Sequence, residues 1–366
     1  MSVDVIEEEP AAIDLVTDDA EPSLVPVQEE AEAVEIAPVA NNTTQQPSEE
    51  GDVTSESPKL QVQAALKYAR TQKQIMAILK KYDPDGYHIV NSKAKWGDNP
   101  MAWWDDYSYA STSGYLSTFD TMVHEETHGY LFHNAQDYNS EYIYLGAKKG
   151  LNVRYTDLFR SKLIAKSVPK RLRTGRYTTY VAKPDANLAS DVDGIYGLLN
   201  EFTAYCWGFN TTSKLYLYAA SFDATDDLWR GYVASTGSIA LAHAEFRYFM
   251  EHYLHYAKTH RPSVYRVIMA NANFKKAVKK VDKKFSSLIK LADKRMPKIA
   301  RRLRKAGYDA YISGDYFYVG TGDSASGTGM WIAQYNRFAK ELGKKRYKTI
   351  EKKLGLTTVR QREVSM

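Results

Sequence analysis

The stretch 119–134, FDTMVHEETHGYLFHN, carries His124-Glu125-Glu126-Thr127-His128, and this pattern restricts the local fold more than any other part of the chain. Two imidazoles four residues apart converge on one point when the backbone is α-helical, because residues i and i+4 then lie one turn apart on the same face. A zinc ion held in this way needs nitrogen or oxygen ligands and an open position, and a neighbouring carboxylate can take a proton from water there. His124 and His128 are therefore candidate metal ligands, and Glu125 is a candidate general base. The flanks predict a helix independently: Ser117 is a plausible N-cap with Asp120 three residues on, and Phe119, Met122, Val123, Leu131 and Phe132 can form a buried stripe.

Charge divides the chain into two segments. Residues 1–58 hold 16 Asp plus Glu and no Lys or Arg, so of the 49 basic and 44 acidic residues the remainder keeps 49 against 28, a formal +21 behind a head of −16. The head has no aromatic residue and no sustained period of 3.6 or 2, and too little apolar surface to bury. It reads as a disordered acidic tether, with residues 59–366 forming the folded domain. Met1 does not open a secretory signal, because neither a basic region nor an apolar run follows it. No stretch approaches a membrane span. The single cysteine, Cys206, excludes an intramolecular disulfide framework and a multi-cysteine zinc site. An acidic, Pro- and Thr-containing spacer before a Tyr-rich domain points to an extracytoplasmic or cell-surface location, with cytoplasm the alternative.

Periodicity places helices over 60–81, 195–208 and 235–260, the second running on through 215–218. A helix is also expected over 155–168, closed by Pro169, and another over 330–342. Short strands are expected at 87–90, 142–145 and 176–182, and a hairpin over 308–319 turning at Ser313-Gly314. Residues 97–114 either line a cleft or pack as a loop, 187–194 form a polar loop with Asp191 and Asp193, and 321–329 form a flexible loop. Between Lys275 and Lys305 fall fourteen Lys or Arg against Asp282 and Asp293, on an amphipathic pattern that Pro297 should divide in two. This run is either a solvated face or a contact for anionic polymers. The basic tail is expected to fray. His252 and His255, at i and i+3, have no convincing third ligand, so a solvated or capping role is the better reading.

Glu201 is the one acidic residue on the apolar helix IYGLLNEFTAYCWG, and a carboxylate there is costly to bury unless paired or bound to a metal. His124-Glu125-x-x-His128 followed by Leu199-Asn200-Glu201-x-x-Ala204 resembles the paired motifs of gluzincin metallopeptidases, as a divergent bacterial branch. The resemblance implies zinc on His124, His128 and Glu201, with Glu125 polarising a water, and it covers these two helices only. The interval between the motifs is longer than in the thermolysin-like group, Tyr205 stands where that group carries an aspartate behind the first histidine, and no G-x-M-E-N exopeptidase signature is present. His133 competes for the third-ligand role. On a continuing helix it is five residues beyond His128, rotated by about 140° from its face, and points away.

Together these features predict an α+β, predominantly helical, zincin-like domain behind a disordered acidic segment, acting as a zinc-dependent metallopeptidase on a protein or peptide. The alternatives are an envelope-associated polyanion-binding protein with a structural or inactive site, and a zinc hydrolase of non-peptide amides.

Overall fold

The computed structural model describes residues 71–106, 113–221, 225–322 and 324–364, all within the compact unit Lys59–Met366. The expected tether, its boundary at residue 58 and the first part of the helix expected over 60–81 lie outside the described residues. The fold is mostly helical with two small antiparallel sheets. Helices α1 (Gln72–Tyr82), α2 (Pro84–Lys95) and α3 (Met101–Asp106) precede α4 (Tyr115–Asn134), which carries the histidine motif. Strands β1 (Ser140–Gly146) and β2 (Lys149–Arg154) then form a hairpin. After 3₁₀ turns at Ser161–Ser167 and Lys170–Leu172 come short helices α5 (Gly175–Tyr177) and α6 (Ala189–Val192), and then the long helices α7 (Gly194–Ala220) and α8 (Asp226–His260). Helices α9 (Pro262–Ala270) and α10 (Ala272–Lys305) lead to a sheet of β3 (Asp309–Ser313), β4 (Tyr316–Thr321) and β5 (Ser324–Gly329), followed by α11 (Ile332–Leu342) and α12 (Lys345–Leu354).

The centre of the core is α7, buried along almost its whole length. A helix apolar all round must be covered on every side, and α4, α8 and α10 cover it. Gly208 allows the closest approach to α4: a Cβ there would sit 2.9 Å from the Asp120 carbonyl oxygen and 3.4 Å from His124 Cβ. Asp120 is itself buried, and its Oδ2 accepts hydrogen bonds from Thr212 Oγ1 at 2.8 Å and from Ser235 Oγ, joining α4, α7 and α8. Buried Asp83, between α1 and α2, likewise accepts from Asn210 Nδ2 at 2.7 Å and Thr211 Oγ1 at 2.6 Å on α7.

Several expectations change in three dimensions. Residues 87–90 belong to α2, because Pro84 starts a helix at its first position and Ile89 and Val90 are buried on one side of it. Residues 176–182 are helical: Thr174 caps the Tyr177 amide, and Arg176 is held by Glu245 at 2.9 Å and Ser238 at 3.0 Å, both on α8, rather than by a neighbouring strand. Only a 3₁₀ turn forms within 155–168. Helix α10 runs unbroken through Pro297, because Ala292, Met296, Ile299, Ala300 and Leu303 continue one buried stripe on both sides of the ring. Residues 324–329, expected as loop, pair with β4 as a third strand. Helix α4 starts two residues before Ser117, whose hydroxyl instead donates to the Gly114 carbonyl at 2.8 Å. Of the segment 97–114, Trp104 is buried against Phe119, and Trp103 Nε1 donates to Glu126 at 3.1 Å, so these residues pack beneath α4. The tail continues into α12, and beyond it Arg362 is buried on Asp293 at 2.7 Å.

His252 joins three elements. Ser167 Oγ donates to the Ile164 carbonyl and so accepts from Nε2 at 2.9 Å, leaving Nδ1 to accept from the Tyr347 hydroxyl at 2.9 Å. Burial lowers this imidazole to about 4 from the usual 6.5. The unfolded chain therefore takes up the proton first as pH falls below 6.5, and stability is lost progressively down to about 4. This ring alone contributes a loss of about 3 kcal/mol over that window. Urea unfolding between pH 7 and 4 should show a shallower decline for His252→Gln than for the native chain.

Candidate metal centre

Helices α4 and α7 bring the motif residues face to face. His124 and His128, one turn apart on α4, hold their Nε2 atoms 3.1 Å apart. From α7, Glu201 Oε2 lies 3.8 Å from His124 Nε2 and 3.6 Å from His128 Nε2. Tetrahedral zinc with bonds of about 2.0–2.1 Å needs donor atoms about 3.3 Å apart, so the three spacings suit one ion. Glu201 is buried, yet among the described residues its Oε2 has no hydrogen-bond partner, which is the state expected of an oxygen whose partner is an ion. Glu125 also belongs to the group: its carboxylate and the two imidazoles offer ligand atoms within 4.8 Å of one another. A metal ion could be held here. We read Glu201 as the third ligand rather than Glu125, because Glu201 faces the histidines from the opposite helix and is the more deeply buried.

Burial sets the protonation of the centre. It holds His124 well below the ordinary imidazole range, with His128 and Arg176 adding to the effect, and it lowers His128 as well. Both rings are thus neutral, as ligands must be. Burial pushes the Glu201 carboxyl up to about 8. Glu125 is raised by burial and, more weakly, by Glu201, while His128 pulls it down.

A chain of hydrogen bonds orients His128. Its Nδ1 meets Asn200 Oδ1, Asn200 Nδ2 donates to Glu141 Oε1 at 2.8 Å, and the Tyr155 hydroxyl donates to Glu141 Oε2 at 3.0 Å. Since Oδ1 can only accept, Nδ1 carries the proton and the Nε2 lone pair is left facing the ion site. Behind His124 stands the Tyr205 ring, edge-to-face at 4.4 Å, and its hydroxyl meets that of Tyr180 at 3.1 Å. Packing against an aromatic ring thus fills the place where the resemblance leads one to look for a carboxylate. His133 is exposed and stacks on Trp96, with ring centres 3.6 Å apart, so it does not join the donors.

The donors line a cavity of about 870 Å³ that also takes in Glu141, Tyr155, Tyr180 and Asp193. None of these four is legible as a site residue in the sequence. Glu141 and Tyr155 flank the β1–β2 hairpin, where nothing in the residue pattern links them to a helix 59 residues away from Glu141 in sequence. Tyr180 is one of 28 tyrosines. No protein-family profile, curated protein or solved structure matches the chain.

Glu201→Ala should reduce zinc affinity severely and His133→Ala should change it little. Asn200→Ala and Glu141→Gln, which leave the donors in place, should weaken binding by about 10–100-fold. Calorimetric zinc titration of the four variants checks the set, and loss of binding in His133→Ala with retention in Glu201→Ala would reverse the ligand assignment.

Proposed function

We propose that the chain is a zinc-dependent, gluzincin-like metallopeptidase. The observation that carries this reading is the convergence of His124, His128 and Glu201 beside Glu125 in one substrate-sized cavity. Zinc in this position would supply Lewis acidity and a more acidic water. Glu125 lies next to that point and burial raises its carboxyl above the usual carboxylate range, which suits a group that takes a proton from water and delivers it to the leaving amine. Tyr180 lines the cavity, and burial holds its phenol well above the usual tyrosine range, so it remains a donor. Its hydroxyl is the one we assign to the oxyanion that develops on the scissile carbonyl. The Asn200–Glu141–Tyr155 chain keeps His128 in one tautomer and one orientation.

Glu125→Gln should retain zinc and lose hydrolysis of an unbiased peptide library by about 10²–10⁴ in rate. Tyr180→Phe should retain zinc and lose about 10²–10³ in kcat. Near-native turnover by Glu125→Gln would remove the base assignment. A library left intact by the zinc-loaded chain, with non-peptide amides cleaved instead, would favour the other hydrolase.

A second reading rests on a different face. Lys275, Lys276, Lys279 and Lys280 of α10 and Lys352 and Lys353 of α12 line one groove that has no acidic residue among its walls. Six ammonium groups gathered with no acidic residue among the described walls suit an anionic polymer. Among the described residues no helix is long and apolar enough to cross a membrane. Heparin affinity of the full chain should fall steeply with salt and fall again in Lys279→Gln/Lys352→Gln, without change in zinc content. Salt-insensitive binding would remove this reading.

A further inference from the structure

The charge inside the cavity is opposite to that of the chain around it. Beyond residue 58 the chain carries 49 basic against 28 acidic residues, yet among the described residues the cavity is lined by Glu125, Asp137, Glu141, Asp193 and Glu201 and by no Lys or Arg. Three of these carboxyl groups have work already. Glu125 and Glu201 face the imidazoles, where their carboxylates would offset a divalent ion, and Glu141 is tied to Asn200 and Tyr155. Asp193 and Asp137 remain.

Asp193 sits where the chain turns into α7. Gly194 takes a left-handed φ of 53° immediately after it, and the Asp193 side chain has no hydrogen bond or ion pair among the described residues. It is half-buried and close enough to Glu141 and Tyr155 to influence both electrostatically. Asp137, exposed at the mouth, accepts one backbone hydrogen bond from the Asn139 amide at 2.9 Å. Two carboxylates not used by the ion site therefore bracket a concave surface, where low-dielectric walls concentrate their field. Glu201, buried with an oxygen that has no hydrogen-bond partner among the described residues, lines the same space and marks the cavity as a place built for a ligand.

The rim supplies the complementary apolar part. Phe132 is 69% exposed and Tyr138 is 91% exposed, with ring centres 6.4 Å apart, an unusual expense of aromatic surface at a cavity mouth. Such rings suit the methylene stem of a long cationic side chain and attract its charged head. We propose that this cavity selects substrates carrying a Lys or Arg side chain beside the reacting bond, with Asp193 and Asp137 as the specificity-determining residues and Phe132 and Tyr138 as the walls. The nature of that bond rests on the peptidase reading above; the charge preference is tested apart from it.

The test uses the full chain as the Glu125→Gln variant, loaded with zinc, so that binding is read without turnover. Two pools of short, end-blocked random peptides differ only at one central position, arginine in one and citrulline, its uncharged isostere, in the other. By fluorescence anisotropy the arginine pool should bind at least about tenfold more tightly, and the difference should shrink as salt screens the carboxylates. Asp193→Asn and Asp137→Asn, each added to Glu125→Gln with zinc content verified, should lower the ratio, to about threefold or less when combined. Equal affinities, tighter binding of citrulline, no saturable binding of either pool, or a ratio unchanged in both aspartate variants would each overturn the proposal. Hydrolysis by the native chain separates the two claims. Arginine-selective binding without any hydrolysis keeps the specificity and removes the peptidase, whereas hydrolysis without a basic preference keeps the peptidase and removes the specificity.

Discussion

The close packing of α4 on α7 is the contact on which the rest of the structure depends. It needs a glycine, because at Gly208 any side chain would meet the α4 backbone. It also needs the buried Asp120, whose oxygen is held by hydroxyls from α7 and α8 and so locks three helices together. With the helices at this distance, His124 and His128 on one and Glu201 on the other are brought within 4 Å of each other. A wider separation would leave two histidines on a helix and a glutamate in a core, neither with anything to do. Burying Glu201 in an apolar helix costs free energy that an ion would offset, so a metal held at this contact would add to stability.

Polar groups beneath the surface follow the same logic elsewhere. Arg247, fully buried on α8, reaches Asp282 of α10, Glu251 of its own helix and Glu351 of α12, and so holds the C-terminal helices against the centre. Asp282 is kept below the usual carboxylate range by Arg247, despite burial. A buried charge without these partners would cost several kcal/mol, which makes the register of α10 and α12 against α8 specific. Lysines of α10 and α12 gather on a separate groove, whereas the carboxyl groups of the cavity have no Lys or Arg among the described residues that line it.

Local pattern was enough to locate both helices of the site. The i, i+4 histidines, the apolar run around Glu201 and the expected register of His133 are all consequences of helical geometry acting within one segment, and the described helices place those residues as the periodicity requires. Local pattern failed where neighbours decide. Residues 87–90 and 176–182 are rich in β-branched and aromatic residues, but Pro84 opens a helix ahead of the first and Thr174 caps one ahead of the second, so they coil. Residues 324–329 look like loop by composition, yet the edge of β4 offers a row of backbone partners and they extend along it.

The amino-acid sequence by itself determined which residues could bind a metal, because ligand chemistry and one-turn spacing are properties of a few adjacent positions. It also determined the separation of charge between head and body, which needs only counting. Tertiary structure decided what stands behind those ligands. Asn200 is adjacent to Glu201 in sequence, but its partner Glu141 comes from the hairpin, with Tyr155 in turn hydrogen-bonded to Glu141, and the aromatic support of His124 comes from Tyr205 once α7 has closed on α4. The acidic lining of the cavity has the same origin: Asp137 and Asp193 are ordinary loop aspartates until folding sets them around one space. Such contacts join separate segments, as with Glu141 and Asn200 at a separation of 59, and no periodicity within either segment encodes where the other will be.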